Sequence, residues 1–212
     1  MARGVSSWLE SEESFIPEPD VFLDRLQHAR REWSKPRPGP DATGPVRVLG
    51  RLTILLRYAP ARRRAVLKPR LSAFKKAIAE TIRDSREDFQ RAVEHLLDYR
   101  LSVAEDIAER LSAQSPIEIR KQMSLVELTD EFLDFVEDAF LTLEGLRALE
   151  TGMELSPWES RLNRLRTTWL RAAPVAAAAF FDDVTDRHLA GLRAHPPEYW
   201  WEHLLEDSIE RR

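Results

Sequence analysis

The sequence predicts an all-α protein, a multi-helix bundle organised on a long central helix with an extended N-terminal arm. Three observations carry this. From Pro69 to Gln114 there is no internal proline or glycine, and apolar residues recur every eleven positions. Leu71, Ile82, Val93 and Ala104 form one column, Phe74, Leu96 and Ile107 a second, and Ile78, Phe89 and Leu111 a third, interrupted only at Ser85 and Arg100. An eleven-residue repeat is about 3.67 residues per turn, close to a straight α-helix. Second, seven glycines and no sustained run of alternating β-branched residues leave a sheet without a signature. Third, Ser115-Pro116-Ile117-Glu118, Ser124-Leu125-Val126-Glu127 and Ser156-Pro157-Trp158-Glu159 repeat one start signal. In that capping box the serine accepts from an orphan backbone N–H and the glutamate reaches back to another.

Taken in order, residues 1–18 combine acids with Trp8, Leu9, Phe15 and Ile16 at no helical period. Pro19 and Asp20 open a short helix to about Trp33, with Val21, Phe22, Leu26 and Ala29 on one side, because proline suits a first turn whose N–H groups have no partner. Ser34 to Pro45 holds four prolines besides its glycines and cannot continue a helix. It is the expected boundary between an arm, 1–45, loosely attached, and a helical domain, 46–212.

A helix is expected from Val46 to about Ala59, with Val48, Leu49, Leu52, Leu55 and Leu56 on its apolar side, and Pro60 ends or kinks it. The central helix follows from Pro69. Ser85 with Asp88 and Ser102 with Glu105 could each form an internal cap, so the pattern allows one unbroken rod or a break that folds it into a hairpin. A helix from Leu125 to about Glu150 turns Leu128, Phe132, Val136, Ala139, Leu143 and Leu146 inward, with Gly152 placed to end it. Its apolar side is broad enough to meet more than one neighbour. Further helices are expected over 157–170, 174–194 and 197 to the end, and the central helix should pack against the 125–150 and 174–194 helices.

The composition excludes several chemistries. With no cysteine there is no disulfide framework, thiolate metal site or cysteine nucleophile. The N-terminal stretch lacks the basic and apolar regions of a signal peptide, and no segment reaches the ~18 apolar residues of a membrane span, which points to a cytoplasmic protein without integral membrane insertion. Five histidines are present, but Glu94-His95 and Glu202-His203 are adjacent pairs whose side chains point about 100° apart on a helix. A metal bundle needs Glu-x-x-His on one face, repeated on another helix. No nucleophile elbow or phosphate-cradling glycine loop occurs. No catalytic, metal or cofactor residue is therefore assigned, and the protein is expected not to be an enzyme.

Charge is the feature that speaks to partners. Net charge is −4, but from Ala42 to Ala79 the chain carries Arg47, Arg51, Arg57, Arg62, Arg63, Arg64, Lys68, Arg70, Lys75 and Lys76 and no acid. From Ser124 to Glu154 it carries nine acids against Arg147 alone. The two segments can neutralise one another, or each can face an outside partner. The basic residues are candidate anion or nucleic-acid contacts, although few aromatics interleave them, so base stacking is not indicated. Trp8, Phe15, Tyr199, Trp200 and Trp201, near the termini, are candidate protein-interface residues, whereas Trp158 and Trp169 fall at core spacing. The expected function is a non-catalytic helical adaptor or scaffold subunit that binds another protein chain, a second copy of itself included. The alternatives are a nucleic-acid-binding subunit acting through 46–76, or association of that segment with a membrane surface.

Overall fold

The computed structural model describes residues 16–59, 61–112, 124–165 and 167, and among them every regular element is helical. These are α1 (Pro19–Trp33), a 3-10 turn (Pro40–Thr43), α2 (Gly44–Tyr58), α3 (Ala61–Arg83), α4 (Arg86–Ser112) and α5 (Ser124–Leu149), with residues 156–165 also helical. The expected helices over 174–194 and 197 to the end, and the serine cap at Ser115, lie outside the described residues. The chain divides into two compact units, Met1–Tyr99 with Asp138–Ser156 and Arg100–Glu137 with Pro157–Arg212. Two of the three internal boundaries fall within α4 and α5, and the third falls at the start of the helix over residues 156–165.

In the first unit α1 begins as its sequence requires, with Pro19 in the first turn, Asp20 at the positive end of the helix and Arg30 and Arg31 at the negative end. Its buried residues Phe22, Leu26, Ala29 and Trp33 follow helical spacing. Phe22 stacks on Phe74 of α3 at a centroid distance of 3.8 Å, and Trp33 meets Phe89 of α4 edge-on at 5.0 Å. Residues 19–45 are therefore not a loose arm. The Pro-rich stretch is tied down because Trp33 donates its indole N–H to the Ala42 carbonyl at 2.8 Å, and the Glu32 carboxylate accepts from Lys35 and from the Gly39 N–H. A buried carboxylate and a buried indole need such partners, and here the loop supplies them.

The central helix differs from its expected form in two ways. It starts at Ala61 rather than at Pro69, so the arginine run is helical and Pro69 lies inside α3. Pro69 is exposed, and a proline on the solvent side leaves its lost hydrogen bond at the convex face of a helix that curves around a core. The rod is also interrupted at Asp84 and Ser85, while Ser102 sits within α4. Ser85 donates its N–H to Ile82 and accepts from Phe89, closing one helix and opening the next. No hairpin results. Glu18, Phe22, Trp33 and Ser34 contact Arg70, Phe74, Phe89 and Asp88 respectively, so contacts along α1 advance from α3 into α4 in one direction. The eleven-residue pattern survives the bend: Phe74, Ile78, Phe89, Val93 and Leu96 are all buried.

A close backbone contact in this unit joins α2 to α5. A Cβ added at Gly50 would lie 2.0 Å from the Leu141 carbonyl oxygen, and one at Gly145 would lie 2.0 Å from the Val46 carbonyl oxygen. The two backbones touch where each helix lacks a side chain. From Leu141 to Leu146 every residue of α5 is buried, which is the broad contact surface its composition implied. The helix ends one residue earlier than expected: Glu150 takes the left-handed conformation, φ 54°, and Gly152 follows at φ 75°.

The second unit buries Leu101, Ala104, Ile107 and Ala108 of α4, Phe132 and Val136 of α5, and Leu162 and Leu165. Arg100, which breaks the third apolar column, is buried there at 2% exposure, and Glu137 is buried too, at 7%. Trp158 is half-buried rather than core. Arg161 joins the following helix to α4, its guanidinium donating from Nε and Nη2 to the two oxygens of Glu105 at 3.0 and 2.8 Å and from Nη2 to the Ser102 hydroxyl at 2.9 Å. Ser156, expected as a cap partner of Glu159, donates its hydroxyl to Glu154.

Candidate functional site: the basic helices and the acids they meet

All ten candidate cations lie in the first unit, on α2 and α3, and the structure sorts them into two groups. One group is engaged within the chain. Arg47 pairs with Asp138, and Arg57 Nη2 donates to Glu144 Oε2 at 3.0 Å. Arg147 donates to the other Glu144 oxygen, so a buried carboxylate is held between two half-exposed guanidinium groups. Lys75 donates to Glu150 at 2.8 Å and Arg70 to Glu18 at 2.9 Å. Arg64 donates from Nε to the Ala59 carbonyl at 2.9 Å. Arg51 and Arg63 are half-buried.

The second group faces solvent. Arg62, Lys68 and Lys76 are exposed. Arg62 and Lys76 lie on the side of α3 opposite its buried residues Leu67, Phe74 and Ile78, and Lys68 lies on its flank. The candidate interface aromatics Trp8, Phe15, Tyr199, Trp200 and Trp201 lie outside the described residues.

The charge asymmetry along the sequence allowed either contact between the basic and acidic segments or outside partners for each, and among the described residues Arg47–Asp138, Arg57–Glu144 and Lys75–Glu150 join the two segments. The acids involved are Asp138, Glu144 and Glu150, whereas Glu131 and Asp134 are exposed residues of the second unit. The signal that could have singled out Glu144 is Gly145 beside it, since a glycine inside an apolar helix marks a close backbone approach. Charges flanking such a crossing are brought within reach of each other.

Three glutamates are held below the ordinary carboxyl value of 4.5: Glu32 chiefly by its hydrogen bond from Lys35, Glu105 by its bonds from Arg161, and Glu150 by its bond from Lys75. Each binds its proton less tightly when folded than when unfolded. Each therefore stabilises the fold above about pH 4.5 and loses that contribution as the pH falls through its folded-state value. Glu105→Gln is expected to cost about 1 kcal/mol near neutral pH, at the upper end for a partly exposed pair. Its stability should fall less steeply than wild type below about pH 4.5. Thermal melts across that range check this, and an unchanged acid slope would show that Arg161 does not bias the Glu105 proton.

His28 Nε2 lies 3.4 Å from Asp41 and 3.8 Å from Glu32, and among the described residues no three His, Asp or Glu side chains gather as metal ligands. No described helix is long and apolar enough to cross a membrane. Comparison with protein-family models, with curated proteins and with solved structures finds no match for the chain.

Proposed function

We propose that this chain is a non-catalytic helical adaptor that works by binding another protein chain. The observation that supports the reading is the solvent face of α3. Between Ala61 and Ala79 its exposed residues include Arg62, Arg64, Lys68 and Lys76 and no acid, and among them sits Val66, 63% exposed. A cationic face with an apolar side chain at its middle has both ingredients of a protein contact, electrostatic steering and desolvated anchoring. Among the described residues of the first unit the opposite side of the helix supplies the packing of α3, through Leu67, Phe74 and Ile78.

A photo-crosslinking residue placed at Lys76 should capture one reproducible protein in the cells that make this chain, and one at His95, exposed on α4, should not. Equal capture at both sites, or none at Lys76, would remove the reading.

The second reading, nucleic acid, is favoured by the same acid-free run of exposed cations. It has fewer contacts to offer than the sequence suggested, since Arg47, Arg57, Arg70 and Lys75 are paired in the chain. Three phosphate contacts, from Arg62, Lys68 and Lys76, would give a slope of about −2.7 in log affinity against log salt, so binding to duplex DNA would weaken roughly 40-fold between ~50 and ~200 mM salt. The adaptor reading expects no such binding in a filter assay at the lower salt, and tight, salt-steep retention would replace it.

A further inference from the structure

We infer that the solvent face of α3 is a docking surface for an acidic α-helix of a partner protein, an inference that rests on the adaptor reading and specifies its partner. Arg62, Pro69 and Lys76 follow one another at seven-residue intervals, two turns or about 10.5 Å apart. Val66 and Ala73 fall between them, four residues after Arg62 and Pro69. All five are exposed. Alternating steps of four and three residues are the spacing by which one helix seats along another, and here that stripe lies on the side of α3 away from its own core.

The chemistry of the stripe selects the occupant. Its side chains are either cations or short and apolar, so a second helix can approach closely over Val66, Pro69 and Ala73 while meeting Arg62 and Lys76 at the two ends of the stripe. Acids on that helix complement both cations. Among the described residues of the first unit, Glu18 and Glu150 are already committed to Arg70 and Lys75, and the acid-free run ends at Glu80, one turn after Lys76. A phosphate backbone fits less well. Arg62 and Lys76 are about 21 Å apart along the axis, with apolar residues between them, and Val66 has nothing to gain from phosphate.

The test uses the full chain and a dye-labelled 21-residue helical peptide with alanine and leucine along one stripe and glutamate on both flanks, read by fluorescence anisotropy. Its controls are a lysine-for-glutamate twin, a proline-interrupted peptide of the same charge, and duplex DNA. Saturable binding of the acidic helix alone is expected. It should weaken by at least about tenfold in Arg62→Glu/Lys76→Glu and in Val66→Asp, and should fade at high salt. Both variants alter exposed side chains, and unchanged circular-dichroism melts confirm that they fold.

The competing outcomes are distinct. Equal binding of the proline-interrupted peptide would show attraction without a helix and overturn the inference, as would no binding at all. Preferential binding of the duplex would replace both this inference and the adaptor reading. Concentration-dependent sedimentation abolished by the variants would make a second copy the occupant and overturn the proposed partner. If the protein captured at Lys76 is not displaced by the acidic peptide, the adaptor reading stands and this inference falls.

Discussion

Replacing Gly50 by alanine is expected to lower stability by about 3 kcal/mol or more, the upper range for forcing atoms into a filled site. Alanine is the better helix former by about 1 kcal/mol, so the direction depends on the crossing alone. The added Cβ would sit 2.0 Å from the Leu141 carbonyl oxygen and 3.0 Å from the Gly145 nitrogen, both backbone atoms with no rotamer to yield. The helices α2 and α5 must then separate. Leu49, Leu52 and Leu146, now fully or almost fully buried, would lose packing as they do so. The Arg47–Asp138 and Arg57–Glu144 pairs would be stretched at the same time. Gly145→Ala reports the same contact from the other side, and the double variant should cost less than the sum because one separation relieves both clashes. Gly44→Ala is the control: nothing lies within 4 Å of its added Cβ, and its melting temperature should stay level or rise slightly. Equal melting of Gly44→Ala and Gly50→Ala would show that the crossing is not as close as described.

Trp33→Ala is expected to cost about 3–5 kcal/mol, the range for truncating a fully buried aromatic. At ~2–4 °C per kcal/mol for a chain of this size, the melting temperature should drop by roughly 10 °C. Trp33 has no exposed surface, meets Phe89 edge-on, and is the only indole among the described residues shown donating to the Pro-rich loop. Trp33→Phe keeps most of the packing but leaves the buried Ala42 carbonyl without its donor, a loss of about 1–3 kcal/mol. Limited proteolysis separates the consequences: cleavage by a broad-specificity protease between Asp41 and Gly44, the proline-free bonds of the loop, should accelerate in both variants, and the melting temperature should fall much further in the alanine one. Were residues 1–45 a detachable arm, Trp33→Ala would speed cleavage and leave the melt of the remaining helices unchanged.

Much of the architecture could be read before any coordinates, and for local reasons. Phe22, Leu26, Ala29 and Trp33 repeat at helical spacing, Pro19 opens their helix, and Phe74, Ile78, Phe89 and Leu96 hold their columns across a bend. Helical period, capping and proline geometry act within a few residues of one another, so the sequence alone decides that these segments are helices and which stripe of each is apolar. The misreadings share a different cause. Pro69 looked like a helix start because proline favours that position, yet the neighbours that bury Leu67 hold the chain helical on both sides of it. The Pro-rich loop looked like a linker by composition, yet Trp33 and Glu32, distant from its prolines in character, satisfy it.

The candidate site was legible as charge and illegible as partners. The sequence by itself determined that the basic residues cluster over 46–76 and that acids crowd a later helix, because composition and period are read along the chain; that Arg62, Arg63, Arg64 and Lys68 lie on a helix is seen only in the structure. Only the tertiary structure decided which cation meets which acid: Arg47 with Asp138, Arg57 with Glu144, Lys75 with Glu150. It also decided which cations, Arg62, Lys68 and Lys76, were left facing water. The physical reason is that an ion pair depends on where two helices cross. That place was set by Gly50 and Gly145, two absent side chains 95 residues apart, whose meeting no local pattern encodes.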